Sequence, residues 1–261
     1  SPPVQPFSRA APYYLTEITS FAPTNLTFSP DGALIAFADE ERGIFTVPMD
    51  GTEDPSLLVV NAADTIYRRP QFSPDGSRLL VDIYRGDRVW TGVFDLTSKA
   101  LIEAPVPDSP EDTRAARARW LADGRAYTYA DAVAPSGVSA GFYVFDPVAA
   151  GSAPAQWVPF DSSINVRTAV EVLPGVIRAV IAQADVLQVV DIDLSGGGQT
   201  PVLALDVPLN APRISPNGRF VAGYENVTDR LGTLTIIDLQ NGRRYQLTTP
   251  ETSTAYQWRE S

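Results

Sequence analysis

A five-residue phrase recurs along this chain. Phe28-Ser29-Pro30-Asp31-Gly32 returns 44 residues later as Phe72-Ser73-Pro74-Asp75-Gly76, and again as Ile214-Ser215-Pro216-Asn217-Gly218. A worn copy, Trp120-Leu121-Ala122-Asp123-Gly124, lies between them. In each copy Pro presets φ for a turn, Asp or Asn caps it through the side chain, and Gly accepts positive φ. A repeat of about 40–45 residues with strand content between its turns is the period of propeller blades.

Each repeat follows one grammar. After the turn comes a strongly apolar strand, as at Ala33-Leu34-Ile35-Ala36-Phe37, Arg78-Leu79-Leu80-Val81 and Arg219-Phe220-Val221-Ala222. A third strand ends in a second signal: Val93-Phe94-Asp95-Leu96, Val144-Phe145-Asp146-Pro147, Val190-Asp191-Ile192-Asp193-Leu194 and Ile236-Ile237-Asp238-Leu239. Polar and glycine residues follow, which reads as a hairpin turn. A fourth strand closes the unit, as at Leu57-Leu58-Val59-Val60 and Arg244-Tyr245-Gln246-Leu247-Thr248. The reading is all-β, a β-propeller of four-stranded antiparallel blades. Five units are expected at roughly 20–60, 61–105, 106–160, 161–206 and 207–249. The fourth is degenerate, with Leu173-Pro174-Gly175 in place of the turn phrase.

The two ends resemble parts of a further blade. Tyr256-Gln257-Trp258 aligns with Pro70-Gln71-Phe72, a first strand, and Tyr13-Tyr14-Leu15-Thr16 with Tyr245-Gln246-Leu247-Thr248, a fourth. The expectation is a six-bladed ring whose last blade is built from both termini, with Val4 to Phe7 as a source of its third strand. Such closure protects sheet edges; a five-bladed ring is the alternative. Residues 1–12 read as an extended tether ahead of a single propeller domain spanning 13–261, such as remains once a targeting or anchor segment is removed.

Composition excludes several chemistries. The 261 residues contain no cysteine and no histidine, which removes disulfides, thiolate metal sites and the commonest general base. The net charge of −11 argues against nucleic acid as a partner. No run of 18 apolar residues is present, so no transmembrane segment is expected. Neither a cofactor nor a metal is implied by any motif.

Four local patterns are better read as structure than as chemistry. Gly137-Val138-Ser139-Ala140-Gly141 matches a nucleophile elbow, but the elbow needs a strand-to-helix turn and a histidine; the segment reads as a loop between blade strands. Asp191-Ile192-Asp193-Leu194-Ser195-Gly196 begins like a calcium loop, yet the twelfth position, which needs glutamate, is Val202, and Asp193 aligns with the turn aspartates Asp95, Asp146 and Asp238. Asn25-Leu26-Thr27 and Asn226-Val227-Thr228 fit the glycosylation pattern without other support. Arg85-Gly86-Asp87 is the composition of a hairpin tip.

One constellation remains. The first strand of a blade lines the central channel, and side chains alternate along it. Taking Phe28, Phe72, Trp120, Val172, Ile214 and Trp258 as the residues packed into the sheets, the preceding positions are Thr27, Gln71, Arg119, Glu171, Arg213 and Gln257. Three positions back lie Asn25, Arg69, Arg117, Ala169, Ala211 and Ala255. With Arg68, Arg114 and Arg167 nearby, the channel of an acidic protein is expected to be basic. Arginine's planar fork suits carboxylates and other anions. The candidate binding set is therefore Arg69, Gln71, Arg117, Arg119, Arg167, Glu171, Arg213 and Gln257. The alternative is that these arginines pair with Glu171, Glu111 and Asp112 and merely fill the channel.

The paired phrases, Phe-Ser-Pro-Asp-Gly and Phe/Ile-Asp-Leu-x-x-Gly, resemble the WD40-like repeats of TolB-type propellers over nearly the whole chain. The Trp-Asp and Gly-His signatures of true WD40 repeats are absent. The resemblance implies a six-bladed periplasmic ring in which a partner's segment engages the mouth of the channel. The same blade type occurs as the gating domain of prolyl-oligopeptidase-like peptidases and in bacterial lipoproteins and surface proteins. On that resemblance the chain is expected to be a noncatalytic, periplasmic or extracellular module, lipid-anchored in some contexts, that docks a protein or peptide. A gating domain of a larger enzyme and a sensory ectodomain for a small anion are the alternatives.

Overall fold

The computed structural model describes residues 23–86, 88–104, 114–134, 137–147, 156–159, 164–183, 186–228 and 231–248. The terminal segments expected to build a sixth blade, with Gln257 and Trp258, lie outside these residues, as do Glu111 and Asp112.

Twenty strands follow one another with no helix among the described residues. Blade 1 is β1 (Pro23–Phe28), β2 (Leu34–Asp39), β3 (Gly43–Pro48) and β4 (Ser56–Val60). Blade 2 is β5 (Thr65–Phe72), β6 (Arg78–Arg85), β7 (Arg88–Asp95) and β8 (Leu101–Glu103). Blade 3 is β9 (Arg114–Trp120), β10 (Ala126–Ala134), β11 (Gly137–Phe145) and β12 (Gln156–Pro159). Blade 4 is β13 (Asn165–Leu173), β14 (Val176–Gln183), β15 (Val186–Asp193) and β16 (Gln199–Leu205). Blade 5 is β17 (Asn210–Ile214), β18 (Phe220–Thr228), β19 (Leu231–Asp238) and β20 (Arg244–Thr248). Each blade pairs its strands in sequence order, antiparallel throughout. A single parallel bridge, Val89 to Arg114, joins blades 2 and 3 into one continuous sheet. All five blades fall inside the units that the repeat marks out.

The second and third strands of a blade are covered on both faces, which explains why they read as unbroken apolar runs. Successive side chains point to opposite faces, and the cores alternate accordingly. Leu79, Val81 and Ile83 pack with Ala36, Ala38 and Ile44 of blade 1. Leu80 and Val93 pack instead with Ala118, Ala126 and Phe145 of blade 3. Tyr127, Phe142 and Val144 meet Ile177, Ala179 and Ile192 between blades 3 and 4. Val180 and Val189 meet Val221 and Ile237 between blades 4 and 5. The face of blade 1 turned away from blade 2 carries its own cluster, Ile35, Phe37, Phe45 and Val47, with Phe37 and Phe45 stacked at 5.5 Å.

The segment 137–141 is not a loop. It is paired strand from Gly137 opposite Ala134 to Gly141 opposite Ala130, because the β10–β11 hairpin is longer than its counterparts. Gly141 is required by packing: a Cβ there would sit 2.5 Å from the Val158 carbonyl and 2.6 Å from the Trp157 ring.

Candidate functional site

The turn phrase is a hydrogen-bonded device. In blade 1 the Ser29 hydroxyl donates to Asp31 at 2.6 Å and accepts the Leu34 N–H at 2.8 Å, while Asp31 accepts the Ala33 N–H at 3.0 Å. Blade 2 repeats it with Ser73, Asp75, Arg78 and Ser77. Blade 5 repeats it with Ser215, Phe220, Arg219 and Asn217, the amide replacing the carboxylate. The glycines Gly32, Gly76 and Gly218 carry φ of 71°, 73° and 69°, donating to the serine carbonyl at each turn. The hydroxyl and amide donors hold the Asp75 carboxyl down at about 2, the Ser73 hydroxyl being the largest cause. The third-strand aspartates are also turn residues: Asp95 accepts the N–H groups of Thr97 and Ser98, Asp193 that of Ser195, and Asp238 that of Gln240.

These tips bring the ends of the first strands together. A Cβ on Gly76 would touch the Pro30 ring at 3.5 Å, and one on Gly218 would overlap Val172 at 2.2 Å. The Trp120 indole donates to the Gln71 carbonyl at 3.0 Å, linking the first strands of blades 2 and 3. The tips of neighbouring blades thus lie on the same side of the array.

The first strands do not alternate strictly. In β1, β5, β9 and β17 the ladder slips just before the tip, so that two residues oppose one: Asn25 and Leu26, Arg69 and Pro70, Arg117 and Ala118, Ala211 and Pro212. Asn25, Arg69 and Ala211 take left-handed φ of 52°, 53° and 49°. Pro70 and Pro212 occupy the place in the bulge where no ladder N–H is called for. A bulge shifts the parity of side chains, so positions one and three before the tip do not share a face by simple alternation. Sequence periodicity contains no such slip.

The fates of the candidate residues diverge. Arg69, in the bulge, reaches the buried carboxylate of Asp82 at 3.6 Å. Arg68 pairs with Glu40 at 3.1 Å and lies 5.0 Å over the Tyr84 ring. Arg117 lies in β9, with its side chain outside the described residues. Gln71 is half-buried, and its side-chain oxygen has no hydrogen-bond partner among the described residues. Arg119, Arg167 and Arg213 are exposed and form no hydrogen bond or ion pair with another described residue. Arg119 and Arg213 each stand one residue before the end of a first strand, at the tip mouth, whereas Arg167 stands near the start of β13, at the opposite end.

Glu171 has a different place from the one its spacing suggests. In blade 4 it pairs with Ile177, as Phe72 pairs with Leu79 and Ile214 with Val221. The shortened Leu173-Pro174-Gly175 turn moves the register by one, so Glu171, not Val172, faces the preceding blade. Its carboxylate accepts the N–H of Ala122 at 2.6 Å and that of Gly175 at 3.0 Å. The acid is engaged by two amides, not by the channel arginines. The anchor position in blade 1 also departs from expectation: Phe28 is 53% exposed where Phe72 and Ile214 are buried.

No family model matches this chain, and no curated protein matches it. Solved structures do. TolB from Acinetobacter baumannii is similar over 88% of this chain and 55% of its own, with 20% identity and a TM-score of 0.61. An oligogalacturonate lyase in complex with manganese is similar over 86% of this chain and 64% of its own, at 9% identity and TM-score 0.67. A puromycin-hydrolyzing peptidase of Mycobacterium tuberculosis is similar over 87% of this chain and 38% of its own, at 16% identity and TM-score 0.63. The chain therefore spans from about two fifths to under two thirds of the length of these relatives. What it shares with all of them is the blade architecture, and the chain has the fold of a TolB-like propeller.

Proposed function

We propose that this propeller is a noncatalytic docking module that holds a protein or peptide segment at the mouth of its channel, outside the cytoplasm. The observation that carries the reading is the set of exposed guanidinium groups, Arg119, Arg167 and Arg213, which form no hydrogen bond or ion pair with another described residue, in a protein of net charge −11. Exposed cations in an acidic shell attract carboxylates. The reported similarity to TolB agrees with a binding role. Thermal melting with polyglutamate, a neutral peptide, dicarboxylates and phosphate tests it. Polyglutamate should raise the melting temperature in a salt-sensitive way, since ligands of the folded state stabilise it. No shift with any anion would overturn the reading.

A second reading is favoured by coverage: the chain matches 34–38% of several peptidase chains, as a propeller portion of a larger enzyme would. Cleavage assays on the full-length gene product separate the two, because a gating propeller alters access to a catalytic half and a docking module does not.

A further inference from the structure

The faces between blades are closed by a repeated seat. In blades 2, 3 and 5 the residue that ends the first strand packs on the blade before it: Phe72 with Ala36, Ala38 and Ile44, Trp120 with Leu80 and Val93, Ile214 with Val180 and Val189. Blade 5 carries the same seat on its other face. Arg213 stands opposite Ala222, and Ala222 opposite Ile236, as Gln71 stands opposite Leu80 and Leu80 opposite Val93. Val221 and Ile237 face blade 4, so Ala222 and Ile236 face away from it. Blade 5 is the last described blade, yet Ala222 is 1% exposed and Tyr224 is buried. The cover is narrow. On blades 2, 3 and 4, each followed by a whole blade, the third-strand residues Val93, Val144 and Val189 are at most 2% exposed. Their counterpart Ile236 is only half-buried, and Tyr245 and Leu247 on the fourth strand are exposed.

We infer that the face of blade 5 turned away from blade 4 is an intramolecular docking surface, and that its occupant is segment 255–258 of this chain, with the Trp258 indole seated on Ala222 and Ile236. The order of residues fits. Tyr256-Gln257-Trp258 repeats Pro70-Gln71-Phe72, and blade 3 already uses a tryptophan, Trp120, in this seat. The reach fits. The link from fourth strand to seat runs from Val60 to Phe72, from Glu103 to Trp120 and from Leu205 to Ile214; that from Thr248 to Trp258 is longer than the shortest of these and shorter than the other two. The size fits, because Ala222 stands where blade 2 has Leu80 and leaves more room beneath an indole. A first strand alone covers the second strand of the blade before it and leaves the third half open, which matches the exposure of Ile236. Phe28 agrees. It ends the first strand of blade 1 and would meet the second and third strands of a whole blade before it, as Phe72 meets β2 and β3, yet it is 53% exposed. The inference goes beyond the docking reading and does not depend on it.

The test is a double-mutant cycle in thermal melts of the full chain. Ala222→Leu puts a larger side chain beneath the indole and should lower the melting temperature by a few degrees. Trp258→Ala should lower it by roughly 5 °C or more. In the double variant the leucine should cost nothing further, because the space left by the indole receives it. Additive losses would overturn the assignment. Ala222→Val serves if the leucine variant does not fold, and Trp258→Phe if the alanine variant does not. Fluorescence gives a second readout. The emission of Trp258, taken as the difference between the native protein and Trp258→Phe, should be blue-shifted and shielded from acrylamide; the emission of a water-exposed indole would overturn the inference. Light scattering should give the native protein and Trp258→Ala the same oligomeric state. A dimer that comes apart in Trp258→Ala would place the tryptophan on a second copy and overturn the intramolecular seat.

Discussion

The carboxylate of Glu171 accepts the backbone N–H of Ala122 at 2.6 Å across the boundary between the third and fourth blades. Its other oxygen closes its own turn at Gly175. The Ala122 N–H stands where the other tips carry Pro30, Pro74 and Pro216, which have no donor, so Glu171 satisfies an amide that only blade 3 presents at this place. Glu171→Ala leaves two backbone donors without this acceptor. The expected loss is about 1–2 kcal/mol, the half-buried setting keeping it at the low end for bonds to a charged group. Urea unfolding checks it, and Glu171→Gln, which keeps one acceptor, should recover part of the loss.

Gly218 is constrained twice, by φ of 69° and by Val172, whose Cγ1 would lie 2.2 Å from a new Cβ. Gly32 shares the backbone conformation at 71° but faces open space. Gly32→Ala should therefore cost about 1–2 kcal/mol, the left-handed penalty alone. Gly218→Ala should cost clearly more, and adding Val172→Ala should restore the difference. A double-mutant cycle in denaturant reads this coupling directly.

Much of the architecture was legible because turns and apolar runs are local. Ser-Pro-Asp-Gly and its variants encode their own hydrogen bonds within six residues, and the buried second strands declare themselves by composition. The channel was less legible. The bulges at Asn25, Arg69 and Ala211 are conformational slips with no single residue signature, so alternation carried past them assigns the wrong parity. Glu171 was misplaced by one because a shorter turn changes register without changing the apolar pattern. Whether an arginine is spent on a partner was also invisible: Arg69 and Arg213 look alike in sequence, but only Arg69 lies beside a buried acid, Asp82, supplied by the next strand.

The tip carboxylates make stability depend on pH. Asp75 has its folded value depressed to about 2, below the value of about 3.9 for an unperturbed aspartate. A depressed carboxyl contributes stability that is present above the unfolded value and is lost as pH falls through the folded one. Asp31 and Asp193 are lowered too, each chiefly by a serine hydroxyl. The melting temperature should fall between pH 4 and 2. Asp75→Asn should flatten that slope while leaving neutral-pH stability near native, because Asn217 makes the equivalent bonds in blade 5.

Arg178 ties the fourth blade to the fifth. It grips Asp191 with two bonds of 2.7 Å and donates a third, at 2.8 Å, to the Gly218 carbonyl. The Asp191 bond raises the basicity of the guanidinium. Arg178→Lys keeps the charge but cannot form the fork. It should destabilise by about 1–2 kcal/mol, nearly as much as Arg178→Met, because geometry and not charge supplies most of the interaction. Equal stability of the lysine variant and the native protein in thermal melts would contradict this.

Tyr127 offers the opposite sign. Its ring packs edge-on against Phe142 at 5.4 Å between blades 3 and 4, and only 2% of the residue is exposed. Its hydroxyl is buried with no hydrogen-bond partner among the described residues. Burial pushes the phenol's pKa well up; Arg119 opposes that shift and Glu171 adds to it. An orphaned buried hydroxyl costs stability, whereas replacing it by hydrogen keeps the ring contacts. Tyr127→Phe should therefore be neutral or stabilising by up to about 1 kcal/mol, where most core substitutions destabilise. A loss of more than about 1 kcal/mol would instead mean that the hydroxyl makes a bond the described side chains do not supply, such as one to a buried water. Melting of this variant, with an alkaline titration of the native protein in which this phenol stays protonated, decides between the two.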